Sequence, residues 1–413
     1  MALRILYCLL FALIPTSLFA QSHNLAYYLV QATANNPQLK DFTNQRSSTR
    51  FDSLRVRAGQ KPQLSANAIA QYAPSVGGIG YDQAVTNGGN YSATLNISQV
   101  LFNRAALNSR LQTIRIHQDS ILNSSDITRI DLKKTITAQY IVTFADLKQV
   151  KFQEELFSLL QNQEKYLLKM VQAGIFKQSD YLTFLVSRQA EEVLISQFQN
   201  TFHTDLSLLN QLSGIVDSST VMLDDPDINM TSLLPLVQLP GYKKFILDSL
   251  QLVNQQNLLS AAYKPKINWF ADAGNQTSVP GKFYKNFGTS FGLNFSLPIY
   301  DGHLRHLELK QIELQQKTRK VYQQYFNTQY QQQILSVQKQ ISDIEQLLGK
   351  INNQLKYSKM LIDIDQKLLN TGDLKVNDFL LAINNYRAIK FSQTQQQINR
   401  LLLINQLNYW GVN

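Results

Sequence analysis

Two stretches of about 70 residues lack the residues that break helices. Residues 103–172 contain neither proline nor glycine, and residues 303–370 contain no proline and Gly349 as their one glycine. Apolar residues recur along both stretches at steps of three and four, the period of a helix face. A helix of that length measures roughly 100 Å at ~1.5 Å per residue, which is too long for a compact domain. We therefore predict long helices at 103–172 and 301–370 that coil against other helices.

Each long helix is predicted to turn back into a second one. Gly174 and Gly372 suit the left-handed position that ends a helix. The helical period resumes after them, over residues 178–213 and 376–409. Shorter helices are predicted before the strands, at about 23–58 and 243–262.

Four further runs alternate apolar and polar residues, the period of a strand with one apolar face. In residues 287–297, every odd-numbered position except Thr289 holds Phe or Leu, and every even-numbered position holds Gly, Ser or Asn. Loops rich in Gly and Asn join the runs into predicted hairpins at about 62–102 and 265–299. Each run has roughly 10 residues, the length of a tilted strand that crosses a hydrocarbon core. A soluble β-sandwich is the alternative, but four runs in two matched hairpins favour the membrane.

The chain repeats itself with a shift of about 200 residues. Residues 96–103 (NISQVLFN) correspond to residues 294–301 (NFSLPIYD), and Gly174 corresponds to Gly372. Self-similarity at a fixed shift indicates a duplicated structural unit. The predicted first repeat, connector and second repeat are residues 21–213, 214–241 and 242–413.

The N-terminus has the features of a secretory signal peptide. Arg4 precedes an apolar run that ends in small residues, so we predict a signal peptide at residues 1–20, with cleavage after Ala20. The one cysteine, Cys8, lies inside it. The mature chain is therefore expected to have neither a disulfide framework nor a lipid-modified cysteine. Nucleic acid is not an expected partner, because the Lys and Arg residues behind the net charge of +10 are spread along the chain.

One copy of this chain cannot close a membrane barrel. Four strands leave two unsatisfied edges in lipid, and the smallest closed membrane barrels have about eight strands. Two copies would supply eight strands, and three would supply twelve and leave room for water between the polar stripes. The sequence therefore predicts a mainly α-helical fold with a transmembrane β part that is completed by oligomerisation, and it favours a trimer.

The junction Leu297-Pro298-Ile299-Tyr300-Asp301-Gly302 with Arg305, together with the turns QAGIFKQSDYL and LNTGDLKVNDFL, resembles the TolC-type outer membrane factor family. The resemblance covers residues 22–411, and His303 stands where the family more often has a second glycine. It implies a homotrimer with a twelve-stranded β-barrel in the outer membrane, continuous with a long α-helical coiled-coil tunnel through the periplasm. Such a trimer is the exit duct of a tripartite efflux pump or a type I secretion system. Its implied partners are outer-membrane lipid, an inner-membrane transporter that supplies the energy, and a periplasmic adaptor (membrane fusion) protein.

The resemblance also implies a ring of carboxylates at the periplasmic constriction. Asp378 matches the family's first ring residue, Leu381 stands where a second is found, and Asp180 is the counterpart in the first repeat. Three carboxylates around a narrow opening would attract cations and restrict anions. The alternative is that each acid only complements the macrodipole of the helix that it begins.

The turns and junctions complete the set of candidate site residues. Adaptor contacts are expected at the turns, although an ordinary helical hairpin loop is the alternative; the residues are Gly174, Lys177, Gly372, Asp373 and Lys375. At the strand–helix junctions, Asn103 and Asp301 are predicted N-caps of the long helices. Pro298 is predicted to end the strand before Asp301, and Gly302 follows Asp301.

No catalytic motif with its structural context is present, so we expect neither an enzyme nor a bound cofactor or metal. The competing function is a periplasmic coiled-coil adaptor or scaffold that never enters lipid. Drugs, metal ions and secreted polypeptides all leave cells through similar ducts, and the residues do not distinguish these cargoes.

Overall fold

The computed structural model describes residues 22–82, 85, 88–101, 104–217 and 221–411. The predicted signal peptide and Asn103 lie outside these residues. The strands are β1 (Ser22–His23), β2 (Gln63–Tyr72), β3 (Gly89–Leu101), β4 (Met222–Leu223), β5 (Lys266–Thr277) and β6 (Phe287–Ser296). The helices are α1 (Leu25–Asn35), α2 (Pro37–Ala58), α3 (Arg104–Gln172), α4 (Gln178–Ser213), α5 (Pro240–Ala262), α6 (Leu304–Thr371) and α7 (Val376–Asn408).

Four of the strands form one antiparallel sheet in the order β2-β3-β5-β6. The hairpins β2–β3 and β5–β6 meet through β3 and β5, where Leu95 lies opposite Ala273 and Ile97 opposite Ala271. Opposite residues share a face of a sheet. The register therefore gathers most apolar residues of the four strands on one face and most polar and glycine residues on the other. Exceptions include Ile69, Val100 and Phe270 on the polar side and Gln99, Asn275 and Thr289 on the apolar side.

These two faces are called the apolar face and the polar face. The apolar face carries Leu64, Ala66, Ala68, Ala70, Ala93, Leu95, Ile97, Ile267, Trp269, Ala271, Ala273, Phe291, Leu293 and Phe295. The polar face carries Ser65, Asn67, Ser92, Thr94, Asn96, Ser98, Lys266, Asn268, Phe270, Asp272, Gly274, Gly288, Ser290, Gly292 and Asn294. The expectation of two-faced strands is confirmed.

The one long polar side chain within the apolar face has its hydrogen bonds satisfied. Gln99 Oε1 accepts from Trp269 Nε1 at 3.1 Å, and Gln99 Nε2 donates to Gln60 O at 2.9 Å. A hydrogen-bonded polar group costs less to place in an apolar environment than one without a partner.

The first short helix, predicted as one piece at 23–58, is divided at Asn36. Proline disfavours the helical conformation of the residue before it, and Asn36 is extended, with ψ at 119°. Asn36 Oδ1 then accepts the Leu39 N–H at 3.0 Å and caps α2, in which Pro37 is the first residue.

The chain divides into two compact units, each of which takes segments from both predicted repeats. The described residues of unit 1 fall within Met1–Leu39, Ile127–Pro235 and Gln329–Asn413. Its buried side chains form separate clusters along the helices, one of them around Tyr28, Tyr140 and Leu209. The Tyr140 hydroxyl bridges β1 and β4, which pair in parallel, through His23 O at 3.0 Å and Asp224 O at 2.7 Å.

Unit 2 comprises Lys40–Asp126 and Leu236–Thr328, and it contains the four-stranded sheet. Within unit 2, the buried side-chain amides of Asn254 and Asn123 hydrogen-bond α5 to α3. Asn254 Nδ2 donates to Ser109 O at 2.9 Å and to Thr113 Oγ1 at 2.8 Å. Asn123 Nδ2 donates to Pro240 O at 2.9 Å and fixes the start of α5 to α3. Among the described residues, no helix is both long and apolar enough to cross a membrane.

Candidate functional site

Two tight turns connect the long helices to the helices that return from them: the first tip turn (residues 173–177) and the second tip turn (residues 372–375). Gly174 and Gly372 have φ of 77° and 84°, the left-handed region that favours glycine. In each turn the residue after the glycine donates its N–H back across the last helical turn, from Ile175 to Met170 O and from Asp373 to Leu368 O, both at 2.9 Å. Both turns are thus helix ends of the Schellman type.

Unit 1 brings the two tip turns into contact. A Cβ on Gly372 would lie 2.8 Å from Ile175 Cγ2, which shows how closely the backbone of one turn approaches the side chain of the other. A shared apolar cluster lies beside them; its fully buried rings, Phe184 and Phe379, stack with centroids 6.5 Å apart. Gln163 Nε2 also donates to Asn370 Oδ1 at 2.5 Å. The duplicated turns therefore form one structure.

The predicted docking residues lie on the exposed side of these turns. Lys177 and Lys375 immediately precede α4 and α7, and both are exposed. Asp180 Oδ2 accepts the Lys177 N–H at 3.1 Å, so its carboxylate closes the start of α4. Asp373 Oδ2 accepts from Thr371 Oγ1 at 2.6 Å. Both carboxylates are thus engaged within their own turns.

Asp378 lies exposed in the first turn of α7. Its charge acts on Asp365, which is buried on α6: burial, and then the charge of Asp378, raise the pKa of Asp365. Asp180 and Asp378 share no hydrogen bond in the part of the chain that the structure describes. Asp365 is therefore the acidic group at this end that responds to the charge of Asp378, and the sequence analysis did not single it out.

A buried ion pair joins α4 to α7 further along the helices. Arg387 Nη1 lies 2.7 Å from Glu191 Oε2, and the Glu191 side chain is only 1% exposed. Arg387 also donates to Asn384. Burial raises the pKa of Glu191, and the Arg387 charge opposes that rise. This link was not predicted, because a charged residue in a polar helix is expected at the surface.

A carboxyl pair lies between α3 and α4. Burial, together with a hydrogen bond to Asp205 and charge repulsion from it, raises the pKa of Asp146 to about 7. Asp205 Oδ1 also accepts from Gln139 Nε2 at 3.1 Å. The two carboxyl groups can therefore share a proton near neutral pH.

At the second strand–helix junction, Pro298 lies two residues beyond the end of β6. Asp301 Oδ1 and Oδ2 accept the N–H groups of His303 at 3.0 Å and Arg305 at 2.9 Å. A hydrogen bond from Tyr263, and then the one from Arg305 N–H, hold the pKa of Asp301 below its usual value. Asp301 thus caps α6, although Gly302 and His303 separate it from the helix.

No family model matches this chain, and no curated protein matches it in sequence.

Solved structures share its fold. A structure of CusC, reported for its folding and transmembrane channel formation, superposes with a TM-score of 0.76 at 15% identity over 96% of this chain and 94% of that one. The outer membrane protein VceC of Vibrio cholerae gives 0.74 at 14% identity, over 94% and 97%. The open-state MtrE outer membrane channel of Neisseria gonorrhoeae gives 0.69 at 17% identity, over 93% and 88%. The resemblance indicated by the sequence is therefore confirmed at the level of the fold.

Proposed function

We propose that this chain, which has the fold of the outer-membrane channels compared above, is one subunit of a homotrimeric TolC-type exit duct across the outer membrane and periplasm. In this proposal the duct is passive, and an inner-membrane transporter energises it through a periplasmic adaptor. The observation that carries the proposal is the sheet of unit 2, whose register puts the apolar stripes of all four strands on one face and most of the polar residues on the other. Lipid suits the first face and water the second.

Two open sheet edges support self-assembly. Within the described residues β2 and β6 each have one strand neighbour, so a row of backbone groups is unpaired on the outer side of each. Unpaired backbone groups cost several kcal/mol each in hydrocarbon. Pairing β6 of one copy with β2 of the next removes both edges, and three copies give a closed barrel of twelve strands.

An exposed apolar stripe on α6 supports the same assembly. Leu307, Leu314 and Val321 recur every seven residues and are 60%, 63% and 63% exposed. Side chains seven residues apart occupy the same position of successive heptads and lie along one side of a coiled-coil helix. Unit 2 also exposes Phe51 and Leu54 on α2, the helix that precedes β2 along the chain. We assign the two surfaces to one interface, with α6 of one copy packed on α2 of the next.

The tip turns are the proposed site of adaptor contacts, and Asp378 and its first-repeat counterpart Asp180 are proposed for the periplasmic constriction. Lys177 and Lys375 offer exposed charges to an adaptor, and reversing both charges should reduce efflux without reducing the amount of trimer. Efflux that remained at the wild-type level would count against docking there.

We expect Asp378→Ala to weaken block of the channel by polyvalent cations in planar bilayers, because a carboxylate ring holds them at the constriction. Asp180→Ala tests the first-repeat counterpart in the same way, and Asp343→Asn, at an exposed site elsewhere on α6, is the matched control. Equal block in wild type and Asp378→Ala would remove Asp378 from the constriction.

The deciding experiment for the proposed function is fractionation followed by reconstitution. We expect heat-modifiable trimers in the outer-membrane fraction that resist carbonate extraction and form ion channels in planar bilayers. Release by carbonate as a protein without channel activity would instead identify the periplasmic adaptor or scaffold.

A further inference from the structure

The four-stranded sheet contains two charged residues in the strands that the structure describes, and both lie on β5. Lys266 and Asp272 are the only charged residues in β2, β3, β5 and β6 as the structure describes these strands. The register places both on the polar face, with Lys266 opposite Ser296 and Asp272 opposite Ser290. Asp272 lies six positions after Lys266, which is about 20 Å along a strand at ~3.3 Å per residue.

The surroundings of Asp272 fix its carboxylate and leave its charge uncompensated. Ser290 Oγ donates to Asp272 Oδ2 at 2.5 Å, which holds the carboxylate against β6. On the polar face its neighbours are the uncharged Asn96, opposite it on β3, and Phe270, together with glycines at 274, 288 and 292. In the described part of the chain, no ion pair involves Asp272 or Lys266.

We propose that Asp272 and Lys266 are the two fixed charges of the membrane-crossing pore and that they set its ion preference in opposite senses. This inference rests on the proposed function, in which the polar face lines the lumen and three copies turn each residue into a ring. Rings of carboxylates favour cations and rings of ammonium groups favour anions. The pore is then bipolar along its axis, with the positive ring at the end of the sheet where β5 begins and the negative ring near its middle.

Ionic strength decides how strongly each ring acts. At ~0.1 M salt the Debye length is about 10 Å, so each ring influences only its own level of the lumen. At ~0.01 M it is about 30 Å, and the ring charges reach across the lumen. The effect should therefore be largest in dilute salt, and the current should differ between the two signs of voltage because the two rings are at different depths.

The first experiment compares two matched neutral variants in planar bilayers. At ~0.01 M salt, Asp272→Asn should lower the permeability ratio of potassium to chloride about two- to fivefold, and Lys266→Gln should raise it by a similar factor. The double variant should return close to the wild-type ratio. Lys282→Gln removes the same charge from the turn between β5 and β6, outside the sheet, and should leave the ratio nearly unchanged.

A second experiment adds the charge after assembly, so that folding is held constant. Asp272→Cys introduces a thiol into a chain whose one cysteine is Cys8, and the treated wild type serves as the reagent control. A methanethiosulfonate reagent transfers its charged group to the thiolate as a disulfide and releases methanesulfinate. An anionic label should restore the wild-type ratio, and a cationic label should shift the ratio toward chloride.

The outcomes separate the inference from the function on which it rests. If the channels had normal conductance but their permeability ratio of potassium to chloride did not change with either substitution or either label, the inference would be overturned. The proposed function as a duct would still stand. Absence of channels in the wild type would overturn the proposed function itself.

Discussion

His303 is the one residue other than glycine with a positive φ among the described residues. Its φ of 69° follows a φ of 65° at Gly302, so the chain enters α6 through two successive left-handed residues. That conformation costs a residue with a Cβ about 1–2 kcal/mol. The family that the sequence resembles more often has a second glycine here, and the structure supplies the physical reason.

We expect His303→Gly to raise the free energy of unfolding by about 0.5–1 kcal/mol, since glycine removes the strain but gives back part of the gain as backbone entropy. Gly302→Ala is the control and should lower stability, because it adds a Cβ at a positive φ. Denaturation of the detergent-purified protein measures both. A destabilised His303→Gly would mean that the edge-to-face contact of His303 with Tyr300 matters more than the backbone strain.

The raised pKa of Asp146 predicts a dependence of stability on pH. The folded chain keeps a proton on Asp146 up to pH about 7, whereas an unfolded chain releases it near pH ~3.9. Between these values the folded state binds more protons, so stability should fall as pH rises through this window and stay level above it. Asp146→Asn should flatten that slope and stabilise the α3–α4 contact at pH 8 by on the order of 1–2 kcal/mol.

Amide hydrogen exchange along α3 and α4 at several pH values tests this dependence. Asp343→Asn, at an exposed site on α6, is the matched change that should leave the slope in place. An unchanged slope in Asp146→Asn would assign the proton to another group.

At the level of elements, the fold was readable because period and composition change sharply along the chain. Alternation between Phe or Leu and small polar residues predicted strands such as β6. The near absence of Pro and Gly predicted the long helices. The break at Asn36 was missed because residues 24–36 and 38–58 contain neither proline nor glycine, so that Pro37 alone marks the division. The sequence could not show which polar residues of a long helix are buried, since Glu191 and Arg387 are 196 positions apart and each resembles a surface residue.

The Glu191–Arg387 link should contribute to the joining of α4 and α7. Arg387→Met leaves the Glu191 carboxylate buried without a partner, and we expect a loss of about 2–3 kcal/mol at neutral pH, below the ~3–5 kcal/mol typical of a fully buried pair because Arg387 is partly exposed. The loss should shrink at lower pH, where Glu191 takes up a proton, since burial already raises its pKa.

A double-mutant cycle with Glu191→Gln measures the coupling. The double variant should recover most of the stability lost in Arg387→Met, because it no longer buries a bare charge. Additive losses would show that the two side chains act independently.

For the whole molecule, the exposed stripe on α6 makes the strongest prediction about assembly. Leu314→Glu places a charge in the proposed seam and should shift the protein from trimers to smaller species. Gln315→Glu adds the same charge one residue later, on a different side of the helix, and should leave the trimer intact. Mass measurement of the detergent-solubilised protein distinguishes these results, and trimers of normal stability in Leu314→Glu would remove α6 from the interface.

The two open edges of the sheet also have a kinetic consequence for biogenesis. In the proposed homotrimer, inserting a single subunit into the bilayer would bring every unpaired backbone group along β2 and β6 into hydrocarbon, at a large cost in free energy. Insertion therefore requires three copies to associate first. Yield of the mature pore should then climb more steeply than in proportion to the rate of synthesis. Below that threshold, newly exported copies remain in the periplasm, exposed to chaperones and proteases.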